Sequence, residues 1–178
     1  DLNKINQKKK EVLLHHEITW EDGHHSIEEI ITADIVVKSP GIPDTIPLIL
    51  KLREKGVKVV SEIEFAVYYS DAPIVGITGS NGKTTVATMA HEILRNGGLN
   101  VALAGNIGNS YARTLAVSDF QFFVLELSSF QLDGIIDFVP HIAVLTNLSP
   151  DHLDRYAHEY DKHRESKFRI LMNQTEDD

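Results

Sequence analysis

The chain has 178 residues, a formal net charge of −9 and no cysteine. This length allows one ordinary domain or two small ones. The composition, with 42% hydrophobic and 24% charged residues, excludes a wholly disordered chain. The lack of cysteine excludes disulfide scaffolds and thiolate zinc sites, and the acidic balance disfavours nucleic-acid partners. No apolar run approaches the roughly 18 residues that span a bilayer, so we expect a soluble, cytoplasmic protein with no membrane partner.

Short helices and strands alternate in the first part of the chain. Residues 1–11 are polar and predict no element, whereas the apolar residues 12–16 predict a short strand. Ser26 is predicted to cap a short helix that ends near residue 33. A strand, a helix and a second strand are predicted next, at residues 34–37, 45–55 and 57–60. Ser61, with Glu64 three residues later, fits a capping box that opens another helix.

The same alternation continues beyond Pro73, which is the predicted boundary between two domains, at residues 1–72 and 73–178. Four strands are predicted in the second domain, at residues 74–77, 101–104, 120–127 and 142–146. Helices are predicted at residues 84–95, 110–116 and 158–171. Because strands and helices alternate throughout, the predicted fold class is α/β with a mainly parallel sheet.

A glycine-rich loop follows the strand at residues 74–77, and its sequence is Gly79, Ser80, Asn81, Gly82, Lys83, Thr84 and Thr85. Glycines allow the backbone amides to curl inward towards phosphate oxygens, and the helix that follows directs its positive end to the same place. Lys83 would meet the β- and γ-phosphates, and the Thr84 hydroxyl would bind Mg²⁺. Ile77 stands where the general phosphate-loop pattern has a glycine. The alternative is a glycine-rich turn with an exposed lysine, but the strand–loop–helix context favours nucleotide binding.

Glu126 lies near the end of the predicted strand at residues 120–127, which is apolar on both faces and therefore typical of a central parallel strand. Alternation places Glu126 on the face of Phe122 and Val124, at the carboxyl end where open α/β sheets bind ligands. A carboxylate there is costly unless a cation or a hydrogen-bond donor meets it. The alternative is a partly exposed glutamate at a strand end.

Five segments, in this order, resemble the Mur ligases, which are ATP-dependent enzymes that form amide bonds in peptidoglycan synthesis. They are Ser-Pro-Gly-Ile at 39–42, the loop at 79–85, Gly-Asn-Ile-Gly at 105–108, Leu-Glu-Leu-Ser-Ser-Phe-Gln-Leu at 125–132 and Asp-His-Leu-Asp-Arg-Tyr at 151–156. The resemblance covers about residues 34–170. The run at 126–132 is most similar to that of the members that add D-glutamate to UDP-N-acetylmuramoyl-L-alanine.

The resemblance implies three domains: a Rossmann-like N-terminal domain that binds UDP, a central phosphate-loop ATPase and a C-terminal domain that helps to hold the amino acid. The chain begins with Asp1 rather than Met, and it lacks the glycine-rich opening of the first domain, the end of the second and the whole third. We therefore expect two incomplete domains of a longer ligase, inactive by themselves.

The resemblance also implies the functional residues. ATP would bind at residues 79–85, and two Mg²⁺ sites would involve Thr84, Glu126, His152 and a carbamylated Lys167. Lys83, His152 and Lys167 would be catalytic, and the UDP substrate would contact Ser39, Pro40, Gly41, Asn106, Ser128 and His152. From the residues alone, Ser39 to Gly41 and Asn106 could be turn residues, His152 a surface residue and Lys167 a solvated lysine.

The implied reaction joins D-glutamate to UDP-N-acetylmuramoyl-L-alanine with hydrolysis of ATP, by a full-length enzyme that acts as a monomer. One alternative is another Mur-type ligase or a folylpolyglutamate synthase, which would differ at residues 128–132. The other is a non-catalytic phosphate-loop module. A switch GTPase would favour an Asn-Lys-x-Asp segment, and the sequence has none.

Overall fold

The computed structural model describes residues 4–150, 156 and 159–176. Contacts divide the chain into two compact units, of which the first comprises residues 1–36 and 44–58 and the second residues 37–43 and 59–178. Residues 59–72, which precede the predicted boundary at Pro73, thus group with the residues that follow it. The boundary between the two domains stays a prediction.

The described part of the first unit contains three helices, α1 (Gln7–His15), α2 (Ile27–Ile30) and α3 (Pro47–Glu54). The strand predicted at residues 12–16 is wrong, because residues 12–15 complete α1 and His16 is its C-cap. The Asn6 side chain caps that helix by accepting the N–H of Lys9 at 2.9 Å, and lysine and glutamate favour helix in its first turns. A short apolar run does not distinguish a strand from a helix.

Two short strands, β1 (Ile35–Val37) and β2 (Lys58–Val60), form a two-stranded sheet, and α4 (Glu62–Val67) follows. The capping box predicted at the start of α4 forms only in half. The Ser61 hydroxyl accepts the N–H of Glu64 at 3.2 Å. The Glu64 carboxylate, however, accepts three consecutive backbone amides at residues 136–138, at 2.9 to 3.0 Å. Those amides satisfy a buried carboxylate better than a single N–H at the helix start would.

The second unit is built on a parallel sheet of four strands, β3 (Ile74–Thr78), β4 (Val101–Gly105), β5 (Phe122–Glu126) and β6 (Ile142–Leu145). The strand order is β4-β5-β3-β6, and every neighbouring pair is parallel. The predicted α/β class is therefore confirmed. In a sheet of this kind all carboxyl ends lie at one edge, and ligands bind in the crevice beyond them.

Helices cover both faces of this sheet: α5 (Lys83–Asn96), α6 (Tyr111–Val117), α7 (Ser129–Leu132) and α8 (Tyr160–Phe168), which continues into a 3₁₀ turn at Arg169–Leu171. One core cluster joins α5 to the sheet through Ile77, Ala87, Val101 and Val124. The other includes Ile63 of α4, Tyr111 of α6 and the strand residues Phe123 and Leu125. The sheet is buried on both sides, which explains its continuously apolar strands. No helix within the described residues combines the length and apolarity that a membrane crossing needs.

Candidate functional site

The phosphate loop occupies the four residues between the end of β3 at Thr78 and the start of α5 at Lys83. Gly79 has φ +143°, a backbone conformation that residues other than glycine rarely adopt, and a Cβ atom there would collide with the Thr146 hydroxyl. Gly82 is the N-cap of α5, and no side-chain hydrogen bond is made at that cap. The first amides of α5 are therefore available to an anion, as a phosphate site requires.

Two lysines meet at one carbonyl oxygen of this loop. Lys83 Nζ donates to the carbonyl of Gly79 at 2.9 Å and to that of Ser80 at 3.1 Å. Lys167 Nζ donates to the same Gly79 oxygen at 2.8 Å, although Lys167 lies 88 residues away in sequence. The Lys167 side chain is buried, with 3% of the residue exposed. Lys83 thus places a positive charge at the loop, where it favours a polyphosphate, and the Lys167 nitrogen lies at the same carbonyl.

Lys167 reaches the loop because α8 is anchored to α7 by side-chain hydrogen bonds. Ser166 Oγ donates to the carbonyl of Ser129 at 2.9 Å. The Tyr156 hydroxyl lies 2.9 Å from a carboxylate oxygen of Asp133 and 3.1 Å from Ser166 Oγ. Burial raises the pKa of Tyr156 to about 12, and the nearby Asp133 carboxylate acts in the same direction. The tyrosine is therefore a neutral hydrogen-bond donor at physiological pH.

Glu126 ends β5 beside the phosphate loop, with only 1% of the residue exposed. Its Oε2 accepts the Thr84 hydroxyl at 2.7 Å, and its Oε1 accepts Nδ2 of Asn106 at 2.8 Å. The pairing of β5 with β3 sets Glu126 opposite Ile77. Its face of the strand is that of Val124, which packs with α5, in agreement with the alternation of the sequence. Two residues that are 42 positions apart are thus brought into direct contact.

The pair formed by Thr84 and Glu126 fits a Mg²⁺ ion. Magnesium takes oxygen ligands, and in nucleotide sites it is held by one or two carboxylates together with phosphate oxygens. The hydroxyl and the carboxylate supply such oxygens next to the phosphate loop. Among the residues that the structure describes, no three or more His, Cys, Asp or Glu side chains form a metal cluster. A metal here would therefore depend on the phosphates of the nucleotide. His152, the other predicted ligand, lies outside the described residues.

A cavity of about 510 Å³ lies next to this site, and four of the residues predicted to contact the UDP substrate line it: Ser39, Pro40, Asn106 and Ser128. Gly41 lies in the turn that the N–H of Ile42 closes on the carbonyl of Ser39, at 3.0 Å, rather than in the lining itself. Ser128 also caps α7, in a capping box with Gln131 that the sequence analysis did not predict. The structure thus brings together four positions that span 90 residues of sequence.

Glu62 and Phe130 also line this cavity, and neither was predicted from the sequence. The Glu62 carboxylate accepts the backbone N–H of Ala112 at the start of α6, and burial raises the pKa of Glu62. Phe130 stacks on Tyr156 with ring centroids 5.9 Å apart and an angle of 18° between the planes. In the sequence, Glu62 is only an acidic residue in the first turn of a helix, which is a common and uninformative pattern.

The segment directly after β6 contacts the phosphate loop and was also missed. Thr146 Oγ1 donates to the carbonyl of Asn81 at 2.7 Å, and Asn147 and Ser149 make further hydrogen bonds to the loop. A usable signal was present, because polar residues directly follow an apolar strand at the ligand-binding edge of a parallel sheet. The same rule had been applied to Glu126.

Known proteins resemble this chain in sequence and in fold. The model of the Mur ligase middle domain matches residues 77–178. The chain is 59% identical over 178 residues to the UDP-N-acetylmuramoylalanine--D-glutamate ligase of Christiangramia forsetii, covering 100% of this chain and 40% of that protein. It is 52% identical to the protein of the same name from Bacteroides thetaiotaomicron, with the same coverage of 100% and 40%. The chain thus spans 40% of the length of these curated relatives.

Solved structures show the same fold at lower identity. The UDP-N-acetylmuramate:L-alanyl-gamma-D-glutamyl-meso-diaminopimelate ligase from Neisseria meningitides aligns with TM-score 0.57 and 20% identity, over 97% of this chain and 59% of that chain. The UDP-N-acetylmuramate-alanine ligase from Thermotoga maritima aligns with TM-score 0.52 and 21% identity, over 96% and 40% of the two chains. Because the middle-domain model covers more than half of its residues, the chain belongs to the Mur ligase family.

Proposed function

We propose that this chain is the part of an ATP-dependent amide ligase that binds ATP, and that the ligase adds D-glutamate to UDP-N-acetylmuramoyl-L-alanine. The observation that carries the proposal is the contact between the Thr84 hydroxyl and the Glu126 carboxylate, 2.7 Å apart beside the phosphate loop. The donors Thr84 and Asn106 are both neutral, so the buried negative charge of Glu126 favours a bound cation. The names of the relatives support the choice of the two substrates.

The first chemical step is attack of the substrate carboxylate on the γ-phosphorus of ATP. The carboxylate is already ionised at neutral pH, so the step needs no strong base. It needs in-line positioning and relief of the repulsion between two anions. The ammonium of Lys83 and the amides at the start of α5 are placed to supply that relief. The bond to the leaving ADP breaks, and an acyl phosphate forms.

The second step is attack of the amino group of D-glutamate, after it has lost a proton, on the acyl carbon. The amide bond forms, and phosphate leaves with the electrons of the bond that breaks. Mg²⁺, when bound, neutralises phosphate charge in such reactions. Thr84 and Glu126 would hold one ion, and we assign His152 and Lys167 to a second. Because the reaction consumes ATP, we assign it to the cytoplasm.

Lys167 is proposed to carry a carbamate. In that modification the ammonium first loses a proton, the resulting amine forms an N–C bond to CO₂, and a second proton leaves, so a cation becomes an anion with two oxygen atoms. Lys167 is buried and shares the carbonyl of Gly79 with Lys83. This supports the proposal, because a carbamate on Lys167 would replace two adjacent positive charges by a pair of opposite charges. The test is Lys167→Ala in a full-length ligase that carries this sequence, with added acetate or formate. We expect loss of activity and partial rescue, and unimpaired activity of the variant would contradict the carbamate.

The cavity lined by Ser39, Pro40, Asn106 and Ser128, with Gly41 in the adjoining turn, is proposed to receive the UDP-linked substrate. Asn106 would couple this cavity to the ATP site, because it lines the cavity and its side chain donates a hydrogen bond to Glu126. A substrate carboxylate held there would lie close to the phosphate loop, as the first step requires.

The decisive experiment measures ATP hydrolysis by a full-length ligase that carries this sequence, with UDP-N-acetylmuramoyl-L-alanine and a panel of amino acids. We expect D-glutamate to stimulate turnover above every other amino acid. Preference for another amino acid would favour a sister Mur ligase, and nucleotide binding without any dependent turnover would favour a non-catalytic module. The 178-residue chain alone is expected to show no turnover that depends on D-glutamate.

A further inference from the structure

The carboxamide of Asn147 holds the tip of the phosphate loop at two points. Its Oδ1 accepts the backbone N–H of Asn81 at 2.9 Å, and its Nδ2 donates to the carbonyl of Asn81 at 2.8 Å. The backbone carbonyl of Asn147 accepts the N–H of Ser80 at 3.0 Å. Asn147 alone thus satisfies both backbone groups of Asn81 and the N–H of the preceding residue, Ser80, much as a neighbouring strand would.

The residues on either side of Asn147 add hydrogen bonds to the same part of the loop. Thr146 Oγ1 donates to the carbonyl of Asn81 at 2.7 Å. Ser80 Oγ donates to the carbonyl of Ser149 at 2.9 Å and accepts the N–H of Ser149 at the same distance. These hydrogen bonds matter because Gly79 and Gly82 flank Ser80 and Asn81. A glycine-rich backbone loses the most conformational freedom when it is ordered.

We propose that Asn147 is a positioning residue for nucleotide binding, which keeps Ser80 and Asn81 in one backbone conformation before the nucleotide arrives. The inference rests on the proposed function of the loop as the ATP site. A loop that is already ordered need not be ordered during binding, and this raises affinity without any contact to the ligand. Asn147 is exposed and outside the core, so its loss should weaken nucleotide binding far more than it weakens folding.

The test compares Asn147→Ala with Asn100→Ala. Asn100 is also exposed and also donates its Nδ2 to a backbone carbonyl, that of Asp119 at 2.8 Å, but it precedes β4 and lies outside the phosphate loop. ADP with Mg²⁺ is titrated into each variant by calorimetry, and the Tm of each is recorded. We expect Asn147→Ala to weaken ADP binding about five- to thirtyfold, the effect of ordering roughly one further residue, and Asn100→Ala to bind as the wild type does.

A second measurement separates positioning from a general structural role. In a full-length ligase that carries this sequence, Asn147→Ala should raise the KM for ATP while the KM for the UDP-linked substrate stays within about twofold. Equal ADP affinity in the wild type and Asn147→Ala, an equal loss in Asn100→Ala, or a parallel rise of both KM values would overturn the inference. If the wild type itself does not bind ADP, the proposed function of the loop is wrong and the inference falls with it. If the wild type binds ADP and Asn147→Ala binds it equally well, only the inference is wrong.

Discussion

Replacing Gly79 by alanine tests the packing of the phosphate loop against the segment after β6. The new Cβ would meet the Thr146 hydroxyl, and the backbone at Gly79 has φ +143°, which alanine disfavours. The change therefore adds two separate costs, one from the backbone conformation and one from the collision. A double-mutant cycle with Thr146→Ala separates them, because removal of the hydroxyl relieves only the collision.

The magnitudes follow from the geometry. A residue held in a disfavoured backbone region costs about 1–3 kcal/mol of the free energy of unfolding. Overpacking by one methyl group costs about 1–3 kcal/mol more. Thr146→Ala alone loses the hydrogen bond from its hydroxyl to the carbonyl of Asn81, worth about 1 kcal/mol. The collision with the hydroxyl is absent in the double variant, whereas the contacts of 3.1 Å between the new Cβ and the backbone of Asn147 are present with or without the hydroxyl. We therefore expect a coupling energy of about 1–3 kcal/mol between Gly79→Ala and Thr146→Ala.

The assay is equilibrium unfolding in urea of the wild type, the two single variants and the double variant. Gly41→Ala is the matched control, since an added Cβ at Gly41 would meet no atom within 4 Å, and its stability should match the wild type. If the effects of Gly79→Ala and Thr146→Ala add within about 0.5 kcal/mol, the proposed collision does not exist and the reasoning is refuted.

Three further predictions concern the same sheet edge. Gly105→Ala should lower the free energy of unfolding in urea by about 3 kcal/mol or more. The new Cβ would collide with the backbone carbonyl of Glu126, and Gly105 has φ +103°, which alanine disfavours. A loss below about 1 kcal/mol would contradict this close approach. Thr84→Val should lose about 1.5–3 kcal/mol without ligand because a buried carboxylate loses a donor, whereas Thr84→Ser, which keeps the hydroxyl, should lose much less. Burial raises the pKa of Glu62 above its ordinary value of 4.5, so its contribution to stability is complete below that pH and is lost as pH rises through the raised value. Glu62→Gln, which keeps an acceptor for the N–H of Ala112, should therefore become more stable relative to the wild type as pH rises above 4.5, and a difference that does not change with pH would contradict the burial effect.

The sequence predicted the parts of the site that local chemistry determines. The glycine-rich loop and the helix after it follow from residue type and spacing, and the face of Glu126 follows from the alternation of side chains along a strand. The partners of Glu126 could not be derived in the same way. Thr84 and Asn106 reach it only because β5 pairs with β3 on one side and β4 on the other, and strand order is a property of the whole sheet.

The wrong and missing predictions have physical causes of the same kind. Residues 12–16 were assigned to a strand because so short a segment, in which only the first three residues are apolar, has no period that separates strand from helix. Glu64 was assigned to a capping box, but amides about 70 residues further along the chain are better partners for its buried carboxylate. Asn147 was missed because an asparagine after a strand usually indicates a turn, and its role depends on a loop about 66 positions earlier.

The central claim is that Glu126 and the phosphate loop bind a magnesium nucleotide together. The most direct test is calorimetric titration of ATP with and without Mg²⁺ into the wild type, Glu126→Gln and Glu92→Gln, the last being a control on the exposed surface of α5. We predict that Mg²⁺ strengthens ATP binding to the wild type and to Glu92→Gln, and that Glu126→Gln loses most of this strengthening. An equal effect of Mg²⁺ in all three proteins, or no ATP binding by the wild type, would contradict the account.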